Sequence, residues 1–197
     1  MKRIINVIKK ILYNLGYVIL SREHFNNLNK SDLQLKKYQS PLIYSFGMAY
    51  SDRVFRSFLK FKPLSKAQLQ QDLFVLCDTS FKREGFFVEF GATNGVDLSN
   101  TWLLENKFSW RGILAEPAKC WHDALKSNRK VFIDTNFVWS QTDKSLDFEE
   151  VKYAELSTLS RFKNEDSNRA LRNDSSNYKV RTVSLNDLLM RYAAPYE

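Results

Sequence analysis

Residues 87–101, FVEFGATNGVDLSNT, begin as an apolar strand and break into small polar residues around two glycines, Gly91 and Gly95. Glu89 stands inside the apolar run, next to its end. A turn this poor in side chains lets a ligand or a second stretch of backbone come close. Its surroundings decide how it is read. GFFVEF (85–90), RGILAEP (111–117) and KVFIDTNFVW (130–139) are short apolar runs. Between them lie SNTWLLENKF (99–108) and AKCWHDALKSN (118–128), of helical length and composition. Apolar strands alternating with such helices predict βαβ units, a parallel sheet and an α/β fold.

In doubly wound folds of this kind ligands sit outside the carboxyl ends of the strands. The dinucleotide fingerprint there is G-x-G-x-x-G, whose glycines admit a pyrophosphate. This chain has E-x-G-x-x-x-G instead, from Glu89, Gly91 and Gly95. An acid at a strand end repels a phosphate and welcomes an amino group or sugar hydroxyls. A second acid, Glu116, ends the second strand, 21 residues after Gly95. A carboxylate at that position accepts hydrogen bonds from ribose hydroxyls. Together the two acids suit a ligand with a ribose, a cationic amino-acid tail and no phosphate, and S-adenosylmethionine has that chemistry. The ordinary alternative is a tight strand-to-helix turn with surface carboxylates.

Elsewhere, Ser65 and Gln68 in SKAQLQQDLFVL (65–76) have capping-box spacing. They predict a helix over 66–77 with Leu69, Leu73, Leu76 and Cys77 on one face. QTDK (141–144) turns into SLDFEEV (145–151), read as a hairpin, and RFKNEDSNRALRNDSSN (161–177) reads as a mobile loop. YKVRTV (178–183) is a last strand, and Ser184 caps a last helix with Asp187 at its third position.

The 197 residues, 44% apolar and 26% charged, suit one globular domain with an appendage. No apolar run reaches the length of a transmembrane helix. Cys77 and Cys120 stand in no metal or redox spacing and read as reduced cytosolic thiols, and two histidines are too few for a histidine-rich zinc site. The net charge of +8 is uneven: residues 1–62 hold 12 Lys/Arg against 3 Asp/Glu, the rest 18 against 19. That argues against a nucleic-acid cleft in the main domain and for an anionic surface near the N-terminus. In residues 1–20 an apolar stripe including Ile4, Ile8, Ile11 and Leu15 is flanked by Lys2, Arg3, Lys9 and Lys10. Two readings stay open: the stripe packs on this protein or a second copy of it, giving a homo-oligomer, or it lies in a membrane interface. The organisation expected is a basic helical arm over 1–62 and a domain over 63–197, in the cytoplasm, with contact at the inner membrane surface on the second of those readings.

SKAQLQQDLFVL, GFFVEFGATNGVDLSNTWLLE, WRGILAEP and VRTVSLNDLL together resemble the FkbM family of S-adenosylmethionine-dependent methyltransferases, over roughly residues 64–189. The resemblance implies a class I methyltransferase, Rossmann-like fold. It implies O-methylation of a hydroxyl on a sugar, glycan or related small-molecule acceptor. By the same resemblance Glu89, Gly91, Ala92, Asn94 and Gly95 would line the methionine end, Glu116 would hold the ribose, and Asp134 or Asn136 would approach the adenine. Asp72 is a candidate general base, with an exposed helix carboxylate as the ordinary reading. The chain departs from the family at RYAAPYE (191–197), where a further apolar strand and a D-x-E-G-x-E motif are absent. The expected sheet is therefore incomplete at the C-terminus, with an uncovered edge. The alternative function is a non-catalytic, truncated remnant that binds cofactor weakly or serves as a membrane- or partner-binding module. A nicotinamide-dependent dehydrogenase is disfavoured by the acidic turn and the missing third glycine.

Overall fold

The apolar runs form the parallel sheet that their alternation with helices predicts. The computed structural model describes residues 50–152, 156–163 and 174–195. The chain divides into units Met1–Ala49 and Tyr50–Glu197, and all the described residues belong to the second. The amphipathic stripe of residues 1–20 and most of the expected loop, residues 164–173, lie outside the described residues.

The helices of the described residues are α1 (Asp52–Phe61), α2 (Gln71–Asp78), α3 (Trp102–Phe108), α4 (His122–Asn128) and α5 (Leu185–Arg191). The first sheet has the order β1 (Phe86–Phe90), β2 (Arg111–Ala115), β3 (Phe132–Asp134), all parallel. Gly112 of β2 faces Phe87 of β1, and a Cβ there would lie 2.4 Å from the Phe87 ring and carbonyl oxygen. The large residue is accommodated because its neighbour has no side chain. Ile113 and Leu114 are fully buried, as a strand covered on both faces requires. β1 has a neighbour on one side only among the described residues.

The unit begins before the boundary expected at residue 63. α1 buries Phe58 while Arg53, Arg56 and Lys60, at i, i+3 and i+7, face outward. Phe61 then packs edge-on against Phe108, with a ring separation of 4.8 Å.

Three local expectations change. The helix expected over 66–77 starts at Gln71, and the capping box does not form. Ala67 instead pairs with Leu98 in an isolated parallel bridge, and Gln70 adopts a left-handed φ of 61° that no continuing helix can hold. Leu73, Leu76 and Cys77 are buried as expected, but Leu69 is 73% exposed. KVFIDTNFVW is two strands, not one. It breaks at Thr135–Asn136, where Asp134 Oδ1 accepts from the Asn136 amide and side-chain nitrogen at 2.8 and 2.7 Å. Its second half, β4 (Phe137–Trp139), joins a different sheet, ordered β4-β7-β5-β6, with β5 (Ser145–Val151), β6 (Thr158–Leu159) and β7 (Ser175–Ser184). The hairpin expected after Trp139 is absent because β7 lies between β4 and β5, parallel to one and antiparallel to the other. The Ser184 cap is present: its Oγ accepts from the Asp187 amide at 3.1 Å and donates to the Asp187 carboxylate at 2.8 Å.

The two sheets share a core. Ile113, Val183 and Leu188 are buried together, with Phe86, Val88 and Val138 packed on them. No helix among the described residues is long and apolar enough to cross a membrane.

Candidate functional site

A cleft of about 290 Å³ opens at the carboxyl ends of β1 and β2, where the chain also enters β4. That volume is at the lower end for small-molecule sites. Phe90, Phe137, Val138 and Phe148 form an apolar wall, and Gly91, Thr93, Glu116, Asn136 and Ser157 bring polar groups or bare backbone to it.

Glu116 is the best-defined polar group of the cleft. It is buried, and each carboxylate oxygen accepts one backbone amide: Oε2 from Thr93 and Oε1 from Ala118, both at 2.8 Å. A carboxylate has about four acceptor positions, so two remain for a ligand. Burial pushes its pKa up; the Ala118 and Thr93 amides oppose that shift, and nearby Glu150 adds to it. His122 donates its Nε2 proton to the Glu116 carbonyl oxygen at 2.9 Å, since a carbonyl only accepts. Helix α4 is thereby tied to the turn that carries the acid.

Gly91 sits at φ +67°, and a Cβ built on it would meet no atom within 4 Å. Its side-chain position opens into free space beside the cleft. The Asn136 side-chain nitrogen donates to Asp134 at 2.7 Å, which fixes the amide at the cleft wall. Asp134 itself is buried and engaged with Asn136, with Arg191 at 2.7 Å and with the Tyr192 hydroxyl at 3.2 Å.

The other sequence candidates do not line the cleft. Glu89 turns toward the start of α3, accepting from Ser99 Oγ (3.0 Å), the Asn100 amide (2.7 Å) and Thr101 Oγ1 (2.5 Å). Gly95 has φ +79°, and a Cβ there would lie 2.6 Å from Arg129 Cγ and 2.7 Å from Leu125 Cδ1. Its bareness admits α4 rather than a ligand. Asn94 closes the turn, its Oδ1 accepting from the Val96 and Asp97 amides at 2.9 Å. Ala92 is buried, and its carbonyl oxygen accepts from the Gly95 amide at 2.8 Å. Of the seven candidates, the fold therefore brings Gly91, Glu116 and Asn136 to one cleft, and uses Glu89, Ala92, Asn94 and Gly95 to build the turn beside it.

Sequence reasoning missed Arg129, which organises that turn. Its side chain is fully buried. It donates to Glu105 (2.5 Å), Gly95 O (2.9 Å), Ser99 Oγ (3.1 Å) and Thr101 Oγ1 (2.9 Å), and lies 3.9 Å from Glu89. An arginine at the end of a helix carries no local signal of such a role. Phe148 and Ser157 were missed too, because they reach the cleft from β5 and the segment before β6.

Asp72 is not the exposed helix carboxylate of the ordinary reading, nor does it line the cleft: it is 0% exposed. Its Oδ1 accepts from Ser65 Oγ at 2.7 Å and the Leu73 amide at 2.8 Å, while Oδ2 has no partner at hydrogen-bonding distance. Burial pushes its pKa up, and the Ser65 hydroxyl and nearby backbone amides only partly oppose that. A carboxyl whose pKa is higher folded than unfolded holds its proton longer in the native state. Stability then falls as pH rises from the unfolded carboxyl range through the folded pKa. Asp72→Asn is expected to remove this fall. In urea titrations from pH 4 to 8, the wild-type protein should lose stability relative to the variant as pH rises. Parallel curves would show that Asp72 does not titrate in this way.

Among the described residues no group of three His, Cys, Asp or Glu side chains is placed to hold a metal ion. No family model, no curated protein and no solved structure matches this chain.

Proposed function

We propose that the cleft binds the adenosyl part of S-adenosylmethionine, in a Rossmann-like domain of class I methyltransferase type that serves O-methylation of a sugar, glycan or related small-molecule hydroxyl. The observation that carries this reading is Glu116. It is a buried carboxylate at the end of the second parallel strand, held by two backbone amides, with acceptor capacity left beside Gly91. Two vicinal hydroxyls are the donors that such a group fits. Phe137 and Val138 offer an apolar face to a purine, and Asn136 is fixed at its edge. When bound, the sulfonium supplies an activated methyl group, so the protein's task is to bind and orient. Glu116 would hold the ribose, the bare backbone at Gly91 would admit the chain leaving the ribose, and the apolar wall would exclude water. Glu89 stays with the turn in this reading and does not meet the amino group.

A second reading, a cofactor-binding module without transfer activity, is favoured by one observation. Asp72, the candidate base, lies outside the cleft. Calorimetric titration of the full chain with S-adenosylhomocysteine and with NAD tests the ligand class. The homocysteine derivative is expected to bind and NAD to bind more weakly; the opposite order would overturn the assignment. Glu116→Ala is expected to weaken S-adenosylhomocysteine binding by about 1–3 kcal/mol, the usual effect of removing a buried hydrogen-bonding partner. Equal affinity in a folded variant would remove Glu116 from the site.

A further inference from the structure

The turn that carries Glu116 is held from the second sheet, by two side chains that do not line the cleft. Three consecutive backbone amides follow the acid. That of Ala118 donates to Glu116 Oε1 at 2.8 Å, that of Lys119 to the Tyr178 hydroxyl at 3.0 Å, and that of Cys120 to Glu150 Oε2 at 3.3 Å. The Tyr178 hydroxyl donates in turn to the same Glu150 oxygen at 2.6 Å. Tyr178 stands on β7 and Glu150 on β5, 59 and 30 residues from the amides they meet. Tyr178 also pairs in register with Phe148 of the cleft wall, and the two rings lie 5.6 Å apart.

Amides at the start of a helical turn have no partner within it. Lys119 and Cys120 are exposed, so water would satisfy theirs. What Tyr178 and Glu150 add is a fixed position, because the turn is pinned at three successive residues. We propose that Tyr178 and Glu150 are positioning residues, which hold Glu116 in the arrangement that takes the ligand. The inference rests on the reading of Glu116 as the group that holds the ribose. A site kept in its binding arrangement avoids the loss of affinity that a partly populated one suffers.

Glu150 also acts through its charge. Burial works against its ionisation, but the Tyr178 hydroxyl and the Cys120 and Lys119 amides hold its carboxyl below the ordinary value. It is therefore charged wherever Glu116 titrates, and its charge adds to the burial that pushes Glu116 up. The other groups around the acid are engaged elsewhere or neutral. Burial, with Glu150 and Glu116 adding, pushes the Cys120 thiol up to about 11. The Lys119 ammonium lies over the Tyr178 ring at 4.3 Å, and His122 meets the Glu116 carbonyl oxygen. Asp134, whose carbonyl oxygen accepts the Glu116 amide at 2.9 Å, turns its carboxylate to Arg191 and Tyr192. Residues 91–96 carry no titratable side chain. Binding needs the Glu116 carboxylate, so affinity falls as pH drops through its pKa. Removing the Glu150 charge lowers that pKa and moves the fall to lower pH.

The experiment titrates the full chain calorimetrically with S-adenosylhomocysteine from about pH 4 to 8. At the upper end Tyr178→Phe and Glu150→Ala should each bind about tenfold more weakly, as when about a tenth of the molecules keep the binding arrangement. Glu150→Gln keeps an acceptor for the Cys120 amide and removes the charge. It should bind as the wild type does at the upper end and keep its affinity further into acid. Amide hydrogen exchange needs no ligand. The Ala118 amide, which donates to Glu116, should exchange at least about tenfold faster in Tyr178→Phe, with Ile113 in β2 unchanged. Wild-type affinity in both Tyr178→Phe and Glu150→Ala, an unmoved pH profile in Glu150→Gln, or unchanged exchange at Ala118 would each overturn the proposal. If the wild type binds no S-adenosylhomocysteine, the cofactor reading of the cleft falls, and exchange at Ala118 still decides whether Tyr178 positions Glu116.

Discussion

Arg129→Met is expected to destabilise the fold by about 3–5 kcal/mol, the range for removing one partner from a buried ionic group. The guanidinium is the only cation facing two carboxylates, Glu89 and Glu105, at 3.9 and 2.5 Å among the ion pairs of the described residues. Methionine keeps much of the side chain's bulk and removes every donor. Glu89 would then remain buried on hydroxyl and amide donors alone, and the Gly95 carbonyl oxygen and Ser99 Oγ would each lose a partner. Urea unfolding of both proteins measures the loss. Adding Glu89→Gln to the methionine variant is expected to recover part of it, because one uncompensated charge disappears. A loss below about 1 kcal/mol would mean that the turn is not held by this network.

Gly95→Ala is expected to destabilise by about 2–4 kcal/mol, from left-handed backbone strain together with overpacking. The new methyl would meet Arg129 Cγ at 2.6 Å and Leu125 Cδ1 at 2.7 Å, and both side chains are buried. Arg129 is pinned by its hydrogen bonds and cannot swing aside without releasing them. Gly91→Ala is the informative contrast. Its φ is also positive, but its methyl would meet nothing within 4 Å, so only the backbone strain, about 1–2 kcal/mol, is expected. Thermal or chemical unfolding of the two variants separates the cases. Equal losses would mean that Gly95 serves conformation alone and that α4 gives way.

The two glycines look alike in the sequence and differ in the fold. Both follow an apolar strand and both take positive φ, which alternation and turn composition predict. Which one faces a cleft and which admits a helix depends on where Arg129 and Leu125 stand, some 30 residues further on. Glu116 was legible because strand-end position alone places a residue at the carboxyl edge of the sheet. Glu89 was read from the sequence as a ligand group at the methionine end; its place inside the turn was not legible, since the groups that claim it, Ser99, Asn100, Thr101 and Arg129, stand just before α3 and just after α4.

By itself the sequence determined the alternation of elements, the parallel pairing of β1, β2 and β3, the Ser184 cap and the carboxyl-end position of the turn. These follow from periodicity, strand length and capping chemistry, which act over a few residues. Tertiary structure alone decided the break at Thr135–Asn136, the placing of β7 between β4 and β5, the late start of α2 and the burial of Asp72. Each depends on a partner distant in sequence or on a backbone conformation that the neighbouring packing imposes. Local propensity carries no record of such partners, because their free energy appears only once the chain has closed on itself.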